Sequence, residues 1–500
     1  MNKTTFLFLA NLCCTTLLLA QGKEGNAWVL GYPTSLQGFA SYAGGSLLKF
    51  DNGAIDTSKF DILRTMASPA SIADENGDLL FYSNGCDVLN RNHQIMTNGV
   101  NLNETGMLYD LYCADAVKVY GALQDMVILP IPKQSKKYII IHIRYIDPGL
   151  AISYIRYTTV DMDLDGGLGA VVEKNVNIPY GGVVNGYMTA TRHGNGTDWW
   201  ITLPEWHTTR KFVFLLDSLG IHGPDIQPNA GILTGSGGSG QAVFSYDGTK
   251  YAEVCFFQGQ TLDFDRCTGK FSNPRVIDTD STAQNSTCAG VAFSPNSRYM
   301  YVSRCDTVDQ FDMSVTNFNS TRLPVITWDG VFDTTYLRGP GYFTMLTAPD
   351  DKIYICPRNS KALHIIHNPN EYGAACNYEK WGLELPTIHS GQLPNIPNFR
   401  LGAADPACTT GSNNLADSEG YTVFPNPASD YVIISNHNAN LSGALTFQLF
   451  DIWGKLVLEK TIDSLPYRIE LANFAAMGYH YRIFGAGGKK MMGGVLVKVH

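Results

Sequence analysis

The sequence predicts an all-β protein, and three observations predict it. A short phrase recurs in which a polar turn runs straight into an aromatic or apolar strand. Ala73 to Tyr82, Ser245 to Tyr251, Ser294 to Tyr301 and Ala348 to Ile355 carry it, with looser copies at Ser135 to Ile140 and Gly194 to Ile201. Charge is sparse at 16%, whereas Gly (49), Tyr (26) and Phe (24) are abundant, which suits strands and tight turns better than helices. Short alternating runs such as Tyr251-Ala252-Glu253-Val254-Cys255-Phe256 stand where a helical protein would show long amphipathic stretches.

The phrases fall roughly 50–60 residues apart, a little longer than the ~40–50 residues of a propeller blade. A unit of that size cannot bury its own apolar faces without stacked neighbours, so residues 26–402 read as a β-propeller. Six phrases, together with the strand-like early segment Trp28 to Phe50, give seven blades, with six or eight as alternatives. The early strands are expected to complete a final blade with the segment near Leu393 to Leu401. Radial closure would protect the sheet edges. Residues 403–420 turn to Ala, Asp, Thr, Ser, Asn and Gly and read as a linker. Residues 421–500 hold six short strand patterns, enough for a small C-terminal β-sandwich.

The ends and the charge bound the function. Lys3, the apolar run Phe6 to Ala20 and the small residue Ala20 before Gln21 read as a signal peptide over residues 1–20, cleaved between Ala20 and Gln21. No later run is apolar and long enough to suggest a membrane span. A formal charge of -9 without a basic block argues against nucleic acid as a partner. Of eleven cysteines, Cys13 and Cys14 leave with the signal, and the remaining nine meet an oxidising compartment. Cys255 with Cys267, and Cys288 with Cys305, lie on consecutive predicted strands and are the expected disulfides. Cys408, in the linker, is the expected leftover thiol.

Four pieces near the C-terminus carry a resemblance: Val423-Phe424-Pro425-Asn426-Pro427-Ala428-Ser429-Asp430, Phe450-Asp451-Ile452-Trp453-Gly454-Lys455, Gly478-Tyr479-His480-Tyr481 and Val495-Leu496-Val497-Lys498. In this order and spacing they resemble the type A C-terminal sorting domain of the type IX secretion system. The resemblance implies Sec export, recognition by the type IX machinery, and then attachment to surface polysaccharide or release. Physically, Pro425-Asn426-Pro427 fixes a turn before the first strand, and Asp451 to Lys455 is a hairpin turn. The body resembles a propeller family found in large surface proteins with such tails. Ser71 to Gly85, Val160 to Gly169, His193 to Ile201, Asn368 to Asn377 and Leu393-Pro394-Asn395 carry that likeness. That family implies no common activity.

Two constellations are candidate chemistry. Asp161, Asp163 and Asp165, followed by Gly166, have the first half of a calcium loop. Val172 stands where a bidentate Glu is wanted, so an acidic hairpin turn is the favoured reading, and no cofactor is expected beyond a weak calcium candidate. His193, Trp199, Trp200, Glu205, Trp206 and His207 form the one stretch that departs fully from the repeat. Glu205 and His207, two apart on a presumed strand, would share a face, and the Trp residues could stack on a sugar ring. No nucleophile–base pair stands out. The expectation is a secreted or surface-attached propeller that acts as a binding or adhesion module of unknown ligand, with surface polysaccharide, a glycan or a protein as the candidate partners. The rival is an extracellular glycan-active hydrolase or lyase whose site lies in the central channel or on one rim.

Overall fold

In the computed structural model the turn phrases are the points where the chain reverses. The structure describes residues 22–32, 44–51, 53–60, 69–104, 109–110, 113, 123–145, 153–182, 186–231, 240–255, 258–278, 290–331, 341–357, 360–389, 391–404, 408, 421–424, 428–436, 444–451, 455–485 and 490–498. The signal-cleavage pair Ala20 and Gln21, the sorting-motif residues Pro425, Asn426, Pro427 and Gly454, and Cys288 lie outside the described residues.

Residues 27–389 form seven antiparallel sheets, each a simple meander. The first holds β1 (Ala27–Tyr32), β2 (Gly44–Asp51) and β3 (Ala54–Phe60), and the second β4 (Ala70–Ala73), β5 (Leu79–Ser83) and β6 (Val88–Asn90). The third holds β7 (Met126–Pro130), β8 (Lys137–Tyr145), β9 (Ser153–Asp161) and β10 (Ala170–Gly182). The fourth holds β11 (Thr189–Arg192), β12 (Trp199–Pro204), β13 (Lys211–Asp217) and β14 (Gly220–Gln227). The fifth holds β15 (Gly240–Phe244), β16 (Lys250–Cys255), β17 (Gly259–Asp265) and β18 (Lys270–Ile277). The sixth holds β19 (Gly290–Phe293), β20 (Tyr299–Arg304), β21 (Thr307–Asp312) and β22 (Leu323–Thr327). The seventh holds β23 (Met345–Thr347), β24 (Ile353–Ile355), β25 (Ser360–Ile366) and β26 (Tyr378–His389).

All six turn phrases fall on the hairpin between the first and second strand of a sheet. Their side chains satisfy the backbone of the turn. Asp74 Oδ1 accepts from the amides of Asn76 (2.9 Å) and Asp78 (3.0 Å), Ser245 Oγ from Lys250 (2.9 Å), and Ser294 Oγ from Tyr299 (2.8 Å). Burial differs between inner and last strands of the four-stranded meanders. The second strand β12 is buried throughout, whereas the fourth strand β18 is mostly exposed. First strands pack on their neighbours: β1 on β4, β4 on β7, β11 on β15, β15 on β19, and β19 on β23. The second, third and fourth sheets share one apolar core that includes Ile72, Phe81, Ile140, Trp199 and Phe212. β26 packs against β1 and β2, and Ser46 Oγ lies 2.8 Å from Thr387 Oγ1 across that contact.

One outer edge is deliberately occupied. Lys174, Asn175 and the carbonyl of Val171 on β10 bond to Asn98, Val100, Asn101 and Asn103, so the segment after β6 lies along that strand. A covered edge cannot template pairing with another chain.

Two expectations are corrected. Residues 391–404 add no strand to any sheet; the early strands form a sheet of their own, and Pro394 and Pro397 lack the amides a ladder needs. Cys267 bonds Cys408, so Cys408 is not the leftover thiol that its place in the linker suggested, and Cys255 is instead a free, buried thiol. The chain folds back across the β17–β18 hairpin, a return that spacing along the sequence does not encode. Cys305 is disulfide-bonded, as are Cys86 and Cys113 to each other, while Cys356 and Cys376 are free and buried.

The C-terminal segment forms two further sheets. One orders β27 (Tyr421–Phe424), β28 (Tyr431–Asn436) and β31 (Tyr467–Glu470), and the other β30 (Leu456–Ile462), β29 (Leu445–Phe450), β32 (Gly478–Phe484) and β33 (Lys490–Val497). Val432, Phe447, Leu449, Ile469 and Ile483 fill a core of their own. Asp451 Oδ1 accepts from the Lys455 amide at 2.9 Å, closing the β29–β30 turn, and the Tyr479 hydroxyl donates to the carbonyl of Ala475 at 3.0 Å.

Candidate functional site

The first strands converge, and what lies between them is the chain itself. Residues 391–404 carry no regular structure, yet Leu393, Pro394, Asn395, Pro397 and Phe399 are buried. Asn395 is the centre of this strap. Its Nδ2 donates to the carbonyls of Met126 (2.9 Å) and Met188 (2.8 Å), its amide donates to that of Pro69 (3.2 Å), and its Oδ1 accepts from Gln124 Nε2 (3.3 Å). One residue thus ties the third and fourth sheets through its side chain and the second through its backbone amide. Phe399 stands edge-on to Trp199, with ring centroids 5.3 Å apart.

Two glutamines pair neighbouring strands where the backbone does not. Gln124 accepts from the Ala242 amide (2.7 Å) and donates to its carbonyl (2.9 Å), and Gln241 accepts from the amides of Val291 (3.1 Å) and Met345 (3.0 Å). A primary amide offers the donor and acceptor of a peptide group, so each acts as one extra rung of a ladder.

Beside the strap lies a cavity of about 100 Å³. Thr189 and Thr191 of β11, Ser245 and Tyr246 of the β15–β16 hairpin, and Asn398 and Arg400 of the strap help to line it. Arg400 is the one residue with a formal charge among the described lining residues. Its guanidinium is already engaged, with the Asp351 carboxylate at 2.6 Å, the carbonyl of Pro349 at 3.0 Å and the Tyr246 ring at 5.2 Å. Burial lowers its pKa. The remaining polar equipment is hydroxyl and amide.

The structure separates the residues from His193 to His207 into two groups at opposite ends of β12, roughly 20 Å apart at the ~3.3 Å rise of a strand. His193 is buried in the β11–β12 hairpin, where its Nδ1 accepts from the Asn195 amide (3.0 Å) and its ring lies 5.2 Å from that of Trp200. Burial lowers its pKa. Trp199 and Trp200 point to opposite faces, the first beneath the Arg192 guanidinium (4.0 Å) and the second donating from Nε1 to the carbonyl of Arg266 (2.7 Å). Both are core residues. Glu205 and His207 lie past the end of β12 in the next turn, not on a strand. Glu205 is held by Arg210 (2.6 Å), while His207 takes a left-handed backbone (φ 56°) beside the Trp206 ring. The six residues therefore make no single site.

The calcium candidate also comes apart. Asp163 pairs with Lys136 (2.8 Å), Asp161 with Lys137 (3.8 Å) and the Asp163 amide (3.0 Å), and Asp165 accepts from the Thr97 hydroxyl (2.8 Å). Carboxylates pointed at separate partners do not converge on one ion. Among the described residues no group of three His, Cys, Asp or Glu side chains could hold a metal.

Other titratable groups are buried in the core. Glu253 binds Lys211, the Tyr251 hydroxyl (2.7 Å) and Gln260 (3.2 Å) between the fourth and fifth sheets, all nearly or fully inaccessible. Cys356 Sγ lies 3.1 Å from His389 Nδ1, whose Nε2 donates to the carbonyl of Ala362 (3.3 Å). The ring is therefore the tautomer with an acceptor at Nδ1, and burial pushes the Cys356 thiol well above its ordinary pKa. A protonated, buried thiol is a poor nucleophile.

Sequence reasoning missed Gln124, Gln241, Asn395 and Arg400. The Pro-Asn pairs at 394–395 and 397–398 were the one local signal, since proline-interrupted runs disfavour an interior strand.

Residues 422–495 match the family described as the secretion system C-terminal sorting domain. The chain thus carries a type IX sorting domain and is a secreted bacterial protein delivered to the cell surface. Among the described residues no helix is long and apolar enough to cross a membrane. No curated protein matches the chain. Among solved structures it is similar to a putative 6-phosphogluconolactonase from Bacteroides uniformis (11% identity, TM-score 0.41, 73% of this chain and 98% of that one). It is also similar to a functionally unknown protein from Desulfotomaculum acetoxidans (13%, TM-score 0.40, 74% and 99%) and to the Dos1 propeller (9%, TM-score 0.37, 73% and 86%). At these identities and scores the likenesses assign no activity to this chain.

Proposed function

We propose that residues 22–404 close into a seven-bladed β-propeller, carried to the cell surface by the type IX sorting domain, and that this body is a binding module for a neutral, hydrogen-bonding ligand of the carbohydrate class. The order of sheet contacts and the approach of Ser46 to Thr387 between the first and last sheets support closure. The lining of the axial cavity carries the functional reading. Threonine, serine, asparagine and tyrosine groups offer hydrogen bonds, while the one charged group is already balanced by Asp351. Such a lining suits recognition of hydroxyls and does not suit acid–base work, which needs a carboxylate or imidazole poised to exchange a proton. The cavity, at about 100 Å³, is smaller than the roughly 150 Å³ that takes up a benzene ring, so it would take in the hydroxyl-bearing edge of a sugar while the rest of the ligand stays outside.

The test is a glycan array and a protein array probed with the intact secreted chain, with product analysis of every glycan retained. Retention of a neutral glycan without new reducing ends or unsaturated products is expected. Tyr246→Ala, which removes the ring under Arg400 at the cavity wall, should weaken retention at least about tenfold. Turnover of any retained glycan would favour the hydrolase or lyase, and retention of protein alone would overturn the carbohydrate reading.

A further inference from the structure

The strap does not end where its burial ends. Beyond Asn395 it runs over the turn hairpins of three sheets. Asn398 Nδ2 donates to the carbonyl of Tyr246 (2.8 Å), Arg400 holds Pro349 and Asp351, and Arg266 donates to the carbonyl of Gly402. The Ala404 amide then donates to the carbonyl of Gly194 (2.9 Å), and Cys408 is bonded to Cys267 on the β17–β18 hairpin. Two glycines make room for this path. A Cβ on Gly194 would meet Cys408 Sγ at 2.5 Å and Cys267 Sγ at 2.8 Å, and one on Gly196 would meet the amide of Ala403 at 2.7 Å.

The geometry points to a covalently latched axial strap. The disulfide Cys267–Cys408 makes residues 391–404, together with Cys408, a permanent part of the body, so that the strap stays seated whatever happens to the sorting domain that follows. Without the bond, the exposed end Gly402–Ala404 is held by one backbone hydrogen bond and one from the Arg266 side chain, and the sorting domain follows in sequence. Any pull or cut beyond residue 408 would then act on the segment that ties the second, third and fourth sheets through Asn395. The bond closes a span of 141 residues and diverts that load into the β17–β18 hairpin. This goes beyond the binding reading and stands on the strap contacts alone, whatever ligand the cavity takes.

Hydrogen exchange at the amides of Leu393, Asn395 and Ala404, read by mass spectrometry on the full chain, tests the latch. Cys408→Ser and Cys267→Ser should each speed exchange there at least about tenfold, and the double variant should add nothing, because one interaction is lost in all three. The sorting-domain strands should be unaffected. After limited proteolysis has separated the sorting domain, the native strap should keep its protection and the Cys408→Ser strap should lose it. If a variant does not fold, the native chain is read before and after a dithiol reductant, which returns the two sulfurs to thiols and is itself oxidised. Strap exchange that is unchanged in the variants or on reduction, or a native strap that opens on loss of the sorting domain, would overturn the proposal.

Discussion

His142 is neutral at pH 7 and resists taking a second ring proton. It is buried in the third sheet, with Nδ1 2.7 Å from Asn103 Oδ1 and Nε2 3.0 Å from Thr158 Oγ1. Burial first, and then the Arg156 charge, push its pKa down to about 3. An unfolded histidine titrates near 6.5, so above that pH the two states bind equal protons and the group has no effect on stability. As pH falls from about 6.5 toward 3, the unfolded chain takes a proton that the folded ring refuses, and stability is lost across that window. Asp312 acts at lower pH, its contribution being lost as pH falls from about 3.8 toward 2. The hydrogen bond from Arg298 holds its carboxyl down to about 2, so it keeps its charge until lower pH. Urea midpoints of the native chain and His142→Gln at pH 7 and pH 4.5 isolate the effect. The native midpoint should fall more than that of the variant, and parallel falls would remove His142 from the account.

At the scale of elements, the turn between first and second strands does two tasks. It reverses the chain, and in the fifth sheet it also seats the strap. Gly248 takes a left-handed backbone (φ +72°), and a Cβ there would meet Thr191 Oγ1 (2.7 Å), Arg266 Cδ (2.8 Å) and Leu401 Cδ2 (2.9 Å). Gly166, in the turn after β9, also has positive φ (+63°) but opens onto space. Gly248→Ala should therefore cost about 1–3 kcal/mol more than Gly166→Ala, whose cost is the backbone term of roughly 1 kcal/mol. Urea denaturation compares them, and equal losses would show that the hairpin and strap do not meet at Gly248.

The same elements show what a sequence can reveal. The six hairpins were legible because Asp74, Ser245, Ser294 and their companions bond to amides two to five residues away. The strap was not, because Asn395 bonds to carbonyls 207 and 269 residues distant, and no local pattern records that. Glu205 and His207 were misplaced for a smaller reason. The strand ends at Pro204, and the turn that follows removes both side chains from the strand face. Cys255 and Cys267 sat on adjacent predicted strands, yet the partner of Cys267 arrives from beyond the seventh sheet.

At the scale of the whole molecule, two units divide the work. The sorting domain, with its own apolar core, directs the chain to the surface, and the seven meanders form the body that is delivered. The body owes its coherence to contacts that skip along the sequence: glutamine rungs between first strands, a strap bonded to three sheets, and the meeting of the first sheet with the last. That meeting is the claim on which the propeller reading, the axial cavity and the ligand proposal all depend. Ser46→Cys with Thr387→Cys, introduced together in the full chain, tests it most directly. An intramolecular cross-link should form in the folded monomer under mild oxidation and appear in a peptide map joining β2 to β26. Two free thiols at these positions in a folded monomer, or a cross-link that forms only between molecules, would contradict the closed ring.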